Sequence, residues 1–379
     1  MYDVILIKYA EITLKGDNKN FFEKKLAENI KRLLKKNKIK YEKIVRFRTH
    51  MIIHTKEKEE KIRPVIEKIF GIANFSFAYT CEKDIEKINK FVLSKTSFMK
   101  KSKTFKVDAS RQNKSFKHNS MEIGRIVGET IYNKYKIKGD MKNPETTVYI
   151  DIADNAYIYF EKIQGLGNLP VGCAGKVISL LSGGIDSPVA SLLAMKRGCY
   201  VTYVHFYNNE KDIQKIIKLV KILNNYQLSC KLYLVPFSIF QISAANVFPN
   251  YEMILFRRYM LKIAQKIAEI EYAKAVVLGD NLGQVASQTI DNLAALEYEN
   301  TKMPILRPLI TFSKQEIIDL AKKVGTYDIS IQPQKDCCSI VSRTPSTKAN
   351  VEKVLEQEKQ MDIDKLVEKT MKKLESRII

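Results

Sequence analysis

The chain has 379 residues, of which 45% are hydrophobic and 28% charged, so two or three domains are expected. Its 64 Lys and Arg against 42 Asp and Glu give a net charge of +22, and residues 1–175 hold 36 basic and 21 acidic side chains, a net +15. This basic front half predicts a polyanionic partner, most simply a nucleic acid. The sequence has no run of about 18 uncharged apolar residues, which excludes a membrane span. It has only six cysteines, too few for a disulfide scaffold. Together these features indicate a cytoplasmic protein.

The first segment has the pattern of a small α+β unit. Residues 4–9 predict a strand, residues 18–37 an amphipathic helix, and residues 43–55 two further β-rich runs. The stretch EEKIRPVIEKIFGI predicts a helix that ends at Gly71, because glycine readily takes the left-handed conformation found at helix C-termini. This pattern resembles a ferredoxin-like unit, which we place at residues 1–58.

Residues 59–165 show a second α+β pattern. The strand-like runs ANFSFAYTC and TFKVDAS enclose the helical DIEKINKFVLSKTS, and residues 120–135 form an amphipathic helix pattern. The alternating run 146–163 predicts a hairpin that turns at the Asp-Asn pair 154–155. Residues 166–176 are rich in glycine and are interpreted as a linker.

From residue 177 the apolar runs become continuous instead of alternating. VISLL, YVTYVHF, KLYLVPF and KAVVLGD are each followed by a helical or loop segment. Continuous apolar strands spaced by helices are typical of a parallel sheet covered on both faces. Residues 177–379 are therefore predicted to form an α/β domain, which closes with a charged, loosely packed helix over about 30 residues.

The sharpest motif follows the first of these strands. In VISLLSGGIDSPVASLLAMKRG the strand ends at Leu181, a turn runs from Ser182 to Ser187, and a helix is predicted to begin at Pro188. Two glycines let the backbone approach a ligand, and the free N–H groups at a helix start bind phosphate oxygens. The turn matches neither the Walker nor the GxGxxG pattern. SGGxDS after a strand resembles the PP-loop of ATP pyrophosphatases, which split ATP into AMP and pyrophosphate; an ordinary Gly-rich turn is the alternative.

Six weaker stretches resemble one family over essentially the whole chain. They are KYAEITLKG, GLGNLPVG, GDNLGQVASQT, PILRPLI, GTYDIS and DCCSIVSRTP. In this order they look like the tRNA 4-thiouridine synthetases, sulfurtransferases that are also tied to thiamine thiazole synthesis. The resemblance implies a PP-loop (adenine nucleotide α-hydrolase-like) α/β domain with a parallel sheet, preceded by α+β ferredoxin-like and THUMP domains. It also implies that ATP, with Mg²⁺, adenylates O4 of uridine at tRNA position 8 and that persulfide sulfur then replaces AMP.

The sequence departs from the family pattern in three places. Ala10 replaces a common Gly, and the pair Asp280-Asn281 replaces the commoner Glu-Ser. Longer members carry a C-terminal rhodanese-like domain with its own cysteine, whereas this sequence ends about 40 residues after Cys338. We therefore expect sulfur to come directly from a cysteine desulfurase or as free sulfide; a sulfur-carrier protein and a homodimer are left open.

The resemblance implies the nucleotide contacts residue by residue. Asp186 suits a Mg²⁺ contact or the orientation of a reacting group, and the alternative is an acid that stabilises a helix start. Arg257 interrupts an apolar helix with a guanidinium that suits a phosphate, whereas Arg258 should point elsewhere. For His205 the alternative is an ordinary buried histidine. The expected ATP contacts are Leu180, Leu181, Ser182, Gly183, Gly184, Asp186, Ser187, His205, Phe206, Arg257, Gly279 and Gln288.

Sulfur handling is expected at the adjacent Cys337 and Cys338, which cannot easily close an unstrained disulfide with each other. In the family the sulfur-handling cysteine precedes a (G/S)-x-x-S-(K/R)-x-P segment, which here makes it Cys338, with Cys337 as the second candidate. With Asp186 these are the expected catalytic residues. No metal site is expected from the protein side chains, since the sequence has no CxxC and its four histidines lack ligand spacing.

Basic residues between positions 103 and 118 interleave with Phe105 and Phe116, a pattern that suits phosphate contacts with some stacking. The alternative is a solvated loop. The expected tRNA-binding residues are Lys103, Lys106, Arg111, Lys114, Lys117 and His118. Two other functions stay open: another PP-loop enzyme that modifies tRNA or activates a carrier, and a non-catalytic tRNA-binding protein, against which the intact SGGIDS argues.

Overall fold

The computed structural model of the chain describes residues 2–112, 115–245, 247–333, 337, 341 and 345–379. The chain forms two compact units, Met1–Asn168 and Leu169–Ile379, and each has a sheet of its own. Among the described residues, no helix is long and apolar enough to cross a membrane. The finer domain limits given above stay predictions.

One nine-stranded sheet runs through the described part of the first unit, in the order β2-β3-β1-β4-β8-β7-β5-β6, with β9 also paired to β4. Its strands are β1 (Val4–Tyr9), β2 (Lys43–Arg46), β3 (His50–His54), β4 (Ile72–Cys81), β5 (Thr104–Arg111), β6 (Lys138–Gly139), β7 (Thr146–Ile152), β8 (Ala156–Tyr159) and β9 (Ile163–Gln164). The described helices of this unit are α1 (Lys19–Lys36), α2 (Glu59–Ile66), α3 (Ile85–Lys95) and α4 (Ser120–Tyr135). The hairpin of β7 and β8 turns at residues 154–155, as the alternating sequence predicts.

The helix before β4 ends earlier than the sequence suggests. α2 stops at Ile66, and the expected end at Gly71 is wrong. Ile69 and Phe70, in the turn that follows, are buried in the core. Burial of these two side chains requires the chain to leave the helix direction before Gly71. Gly71 does have a φ of 104°, but there it leads the chain into β4.

The second unit contains, in its described part, a six-stranded sheet in the order β14-β13-β10-β11-β12-β15. Its strands are β10 (Lys176–Leu180), β11 (Tyr200–Tyr207), β12 (Lys231–Pro236), β13 (Val276–Val277), β14 (Ile305–Leu306) and β15 (Glu375–Ile378). The described helices are α5 (Asp186–Lys196), α6 (Glu210–Gln227), α7 (Ser238–Ser243), α8 (Pro249–Glu271), α9 (Ile290–Glu297), α10 (Lys314–Val324), α11 (Tyr327–Ser330), α12 (Val351–Gln360) and α13 (Ile363–Met371). Neighbouring strands are parallel except for β15, which is antiparallel to β12, so the predicted α/β sheet is confirmed.

The C-terminal segment is an integral part of this unit, and the expected loosely packed helix is wrong. α12 and α13 bury Val354, Leu366 and Val367 in the same core that surrounds α8. β15 then extends the sheet along β12. The backbone carbonyl of Ile379 accepts a hydrogen bond from the Asn224 side chain at 2.9 Å. Most charged residues of these helices face outward, Glu358 being a buried exception, which is why the sequence looks solvated although one face of each helix is apolar.

Candidate active site and nucleic-acid interface

The loop between β10 and α5 lies where the strand order reverses. β11 and β12 lie on one side of β10, and β13 and β14 lie on the other. In open α/β sheets a crevice for ligands forms beyond the carboxyl ends of the strands at such a point. α5 begins at Asp186, so the predicted start at Pro188 is wrong by two residues. Asp186 therefore stands at a helix start, where the helix dipole favours a negative charge.

Two serine hydroxyls stabilise the conformation of this loop by accepting hydrogen bonds from its backbone amides. The Ser187 hydroxyl accepts a hydrogen bond from the Ser182 amide at 2.8 Å, and the Ser182 hydroxyl accepts one from the Gly184 amide at 3.2 Å. The hydroxyl of Ser191, one turn into α5, lies 2.8 Å from that of Ser179 in β10. The loop is thus held in shape by its own side chains and by the strand and helix that flank it.

Gly279, just after β13, packs directly on this loop. A Cβ atom at this position would lie 2.9 Å from the amide nitrogen of Ser187 and 3.2 Å from the carbonyl carbon of Asp186. Backbone atoms cannot yield to such a contact, so any side chain here would push the end of β13 away from the start of α5. The glycine therefore serves close packing between two backbones, and the residues after it form a wall of the crevice.

The crevice contains a cavity of about 430 Å³. This volume is in the range of sites for small ligands and cofactors. Of the twelve expected ATP contacts, Gly183 and Gly184 do not line the cavity, although they belong to the loop. The structure brings the others together around it: Leu180, Leu181, Ser182, Asp186, Ser187, His205, Phe206, Arg257, Gly279 and Gln288.

Both carboxylate oxygens of Asp186 have partners from distant segments. Nζ of Lys314 lies 2.7 Å from Oδ1, and Nε2 of Gln284 donates to Oδ2 at 2.9 Å. Sequence reasoning missed both partners. A signal was present for Lys314, because the capping box Ser313 to Glu316 places this cation at the first position of a helix. A cation is disfavoured there by the helix dipole unless an acid compensates for it.

Arg257 reaches the cavity from the middle of α8. Its Nη2 donates to Oδ1 of Asp280 at 2.6 Å, and its Nη1 donates to the carbonyl oxygen of Ser287 at 2.7 Å. Arg258 is fully buried away from the cavity, and its Nε donates to the Glu358 carboxylate at 2.7 Å. The two neighbouring arginines therefore point to different sides of the helix, as the sequence predicts.

His205, at the carboxyl end of β11, is buried and neutral. Its Nδ1 lies 2.8 Å from the carbonyl oxygen of Leu181, which can only accept a hydrogen bond, so Nδ1 carries the proton. Burial lowers the pKa of His205 to about 4. Next to it, the buried thiol of Cys337 lines the cavity and donates to the carbonyl oxygen of Phe206 at 3.3 Å. Cys338 lies outside the described residues.

A groove of about 660 Å³ lies between β5 and α4 in the first unit. In the described chain β6 pairs with β5 only at Thr104 and Phe105, so the rest of this strand edge is open to the groove. Two cations, Lys106 and Arg125, line it together with two acids, Asp108 and Glu129, and the half-exposed ring of Tyr132. A groove with cations, an aromatic ring and open backbone groups suits a nucleic-acid strand.

The expected tRNA-binding residues surround β5. Lys103 is exposed just before the strand, and Lys106 lines the groove. Arg111 ends the strand, and its Nη1 donates to a neighbouring carbonyl oxygen at 2.8 Å. Lys117 is exposed in the connection to α4, and Lys114 lies outside the described residues. The described members of the predicted set thus span both ends of β5, and of these Lys106 alone lines the groove.

The aromatic part of that prediction is wrong for Phe105. Its side chain is only 5% exposed and belongs to the core of the unit, so its ring is not available to stack on a base. Phe116 packs partly against the same core and against the ring of His118. Nδ1 of His118 lies 3.7 Å from the Glu122 carboxylate. Tyr132, which the sequence did not single out, is the exposed aromatic residue among the described residues that line the groove.

A Ser- and Gly-rich loop at the switch point of a parallel sheet, in a chain whose first unit has a groove with cations and an exposed aromatic ring, is the arrangement of the PP-loop class of enzymes with nucleic-acid-binding modules. Comparison with known families agrees. The family described as "Thiamine biosynthesis protein (ThiI)" matches residues 172–363, the ThiI ferredoxin-like domain matches residues 4–76, and the THUMP domain matches residues 82–161.

Curated relatives match the chain over nearly its full length. It is 43% identical to the "Probable tRNA sulfurtransferase" of Thermoanaerobacter sp. (strain X514), with 97% of this chain and 98% of the relative covered. It is 41% identical to the protein of the same name from Geobacillus kaustophilus (strain HTA426), with 100% of this chain and 96% of the relative covered. The chain therefore belongs to the tRNA sulfurtransferase (ThiI) family.

A solved structure gives the same result. The crystal structure of a 4-thiouridine synthetase–RNA complex with bound ATP superposes with a TM-score of 0.89 at 33% identity, and all of both chains is covered. The predicted family is thereby confirmed, as are the α/β PP-loop fold with ferredoxin-like and THUMP modules and the sulfurtransferase class of enzyme.

Proposed function

We propose that this chain uses ATP to convert uridine at position 8 of tRNA into 4-thiouridine. The cavity beyond β10 is the observation that supports this most directly. It joins a phosphate-binding loop, the start of α5, the guanidinium of Arg257 and the carboxylate of Asp186, which holds Lys314. The related 4-thiouridine synthetase binds ATP and RNA in its crystal structure.

The first step is adenylation of the base. O4 of the uridine bonds to the α-phosphorus of ATP, N3 loses its proton, and the bond to pyrophosphate breaks. Negative charge then grows on the departing pyrophosphate. The amide groups at the start of α5, Lys314 and Arg257 supply fixed positive charge for it, and fixed charge that needs no rearrangement is the main source of catalysis in such transfers.

The second step replaces AMP by sulfur. A cysteine desulfurase loads Cys338 with a persulfide, whose terminal sulfur attacks C4 of the base as AMP leaves. A second thiol then attacks the sulfur of Cys338, so that a protein disulfide forms and 4-thiouridine is released. Free sulfide, which attacks C4 directly, is the alternative donor. Cys337 is the second candidate for the carrier, and its thiol faces the cavity beside Phe206.

The basic residues around β5 hold the tRNA. Lys103, Lys106, Arg111 and Lys117 offer charge, and His118 offers a hydrogen bond, for phosphates along and beside the groove. A uridine inside a folded tRNA must leave its stack before O4 can meet the α-phosphorus, so binding energy from this surface also supports that change.

Mg²⁺ is proposed to enter with ATP. Among the described residues no three His, Cys, Asp or Glu side chains form a group that could hold a metal ion. Mg²⁺ usually keeps several waters and binds through substrate phosphates and one or two carboxylates, so the phosphates would hold it, with Asp186 as the nearby protein carboxylate. Sulfur transfer for thiamine thiazole synthesis, a sulfur-carrier protein, a homodimer and a cytoplasmic location stay predictions.

Release of pyrophosphate from ATP tests this function. Purified protein with unmodified tRNA should release one pyrophosphate for each 4-thiouridine formed, and a tRNA with cytidine at position 8 should give none. Release that depends on a protein carboxylate instead of tRNA would identify a carrier-activating enzyme. Tight tRNA binding without any release of pyrophosphate would identify a non-catalytic tRNA-binding protein.

A further inference from the structure

A chain of buried charged groups leads away from the cavity wall. Oδ1 of Asp280 accepts from Arg257 at 2.6 Å, and Oδ2 accepts from Nε of Arg307 at 3.0 Å. Arg307 also bonds to the carboxylate of Glu297. The side chains of Arg257, Asp280 and Arg307 are 9%, 8% and 12% exposed, so water screens these contacts little. Each carboxylate oxygen of Asp280 is thus held by a different arginine.

The position of Asp280 is set by its neighbour in the chain. Gly279 packs against the backbone of residues 186–187, so the carboxylate that follows is fixed relative to the phosphate-binding loop. The guanidinium of Arg257 is anchored at two points, on Asp280 and on the carbonyl oxygen of Ser287. Two hydrogen bonds from different nitrogens of a planar group fix its orientation as well as its place.

Charge balance explains the second arginine. Asp280 lines the cavity, and a carboxylate there would repel a polyphosphate. With Arg257 on one oxygen and Arg307 on the other, the three groups sum to a net charge of +1. Arg257 and Asp280 line the cavity, whereas Arg307 and its partner Glu297 lie behind Asp280 and do not. The two guanidinium groups therefore offset the negative charge that the carboxylate of Asp280 would otherwise present to the cavity.

We propose that Asp280 is a positioning residue that aims Arg257 at the phosphates of ATP, and that Arg307 cancels the charge of Asp280. This rests on the proposed function, because it takes ATP to be the occupant of the cavity. Arg257 is then the group that meets the ligand, and Asp280 acts through it. Asn281, the next residue, serves packing instead, since its side chain donates to the carbonyl oxygen of Leu309 at 3.0 Å.

The test compares ATP with adenosine as ligands of the full-length protein. Asp280→Asn keeps the size of the side chain but removes its charge, so Arg257 loses its strongest anchor. We expect ATP to bind at least fivefold more weakly while adenosine, which has no phosphate, binds within twofold of wild type. Asp280→Glu should recover most of the ATP affinity. In an Arg257→Gln background, Asp280→Asn should change ATP affinity by less than twofold, because residues that act through one another are not additive.

Glu358→Gln is the matched control. It breaks a buried arginine–carboxylate pair at Arg258, one residue along the same helix, on a side that does not line the cavity. It should lower the melting temperature and leave ATP affinity within twofold. Should Asp280→Asn fail to fold, Arg307→Gln replaces it: that variant removes the counter-charge and should also weaken ATP binding without weakening adenosine binding.

Equal loss of ATP and adenosine binding in Asp280→Asn, or unchanged ATP binding, would overturn the positioning role and leave the proposed function standing. An additive effect in the Arg257→Gln background would overturn it too. If the wild-type protein bound no ATP, the proposed function would fall and this proposal with it. The experiment thus separates the two failures.

Discussion

Asp186 and Lys314 form an ion pair, with 2.7 Å between Oδ1 and Nζ, although they are 128 positions apart in the chain. Each is the first residue of its helix, α5 and α10, so the pair joins two helix N-termini. Helix N-termini attract anions, and a lysine held between them adds to that field. We infer that Asp186 holds Lys314 beside the phosphate-binding loop in addition to any contact of its own with the ligand.

Replacement of Asp186 tests this arrangement. Asp186→Ala should reduce thiolation to below a tenth of wild-type turnover, because Lys314 loses its partner and the cavity loses the carboxylate at the start of α5. Affinity for tRNA should not change, since the basic residues around β5 are in the other unit. Turnover is measured by pyrophosphate release and by the absorbance of 4-thiouridine. Asp319→Ala, which removes an exposed acid of α10 bonded to Gln315, is the control and should be active. Retention of more than a tenth of turnover by Asp186→Ala would contradict the role.

The groove between β5 and α4 leads to a prediction about how tRNA affinity depends on salt concentration. Charge reversal at Lys106 and Arg125 should weaken tRNA binding and flatten its dependence on salt, by about 0.7 to 0.9 in the log–log slope per lost phosphate contact. Binding is measured by titration at several salt concentrations. Reversal of two exposed lysines elsewhere in the unit, Lys24 and Lys56, changes the net charge equally and is the control. Equal effects of the two double variants would mean that only overall charge matters.

Much of the fold could be predicted because the relevant signals are local. The continuous apolar strands and the SGGIDS turn locate the crevice, and most of the nucleotide contacts that the resemblance implies do line it. Contacts between distant segments could not be predicted. The ion pairs Lys314–Asp186 and Arg307–Asp280 are examples, because no periodicity or fixed spacing in the sequence connects the two members of either pair. The end of α2 could not be predicted, because the sequence does not show that Ile69 is buried in the turn after the helix or that Gly71 leads directly into β4.

The sulfur step makes a prediction that separates activation from delivery. Cys338→Ser should stop thiolation when a desulfurase and cysteine are the sole sulfur source, because a hydroxyl cannot carry a persulfide. Release of pyrophosphate from ATP in the presence of tRNA should continue, since it uses other groups. Cys337→Ser is the control, because a serine hydroxyl can still donate to the carbonyl oxygen of Phe206, and it should keep most of the thiolation. Full thiolation by Cys338→Ser would shift the carrier role to Cys337 or to free sulfide.

His205 predicts how stability depends on pH. Its pKa is lowered by burial to about 4, whereas in the unfolded chain it is near 6.5. Below pH 6.5 the unfolded state therefore binds a proton that the folded state does not, and stability falls as the pH drops from about 6.5 to 4. His205→Asn can keep the hydrogen bond to Leu181 and does not titrate. Between pH 6.5 and 4, the unfolding free energy of this variant should fall by roughly 2 to 3 kcal/mol less than that of the wild-type protein, as measured by urea titration at several pH values. Identical pH profiles for the two proteins would place the protonation elsewhere.

Mass spectrometry of tRNA nucleosides tests the central claim most directly. In a strain that lacks this gene, 4-thiouridine should be absent from tRNA, and the wild-type gene should restore it while the gene with Asp186→Ala should not. Both proteins should be present at equal levels on an immunoblot, so that loss of the nucleoside reports loss of activity. Undiminished 4-thiouridine in the deletion strain, or its full restoration by Asp186→Ala, would contradict the account.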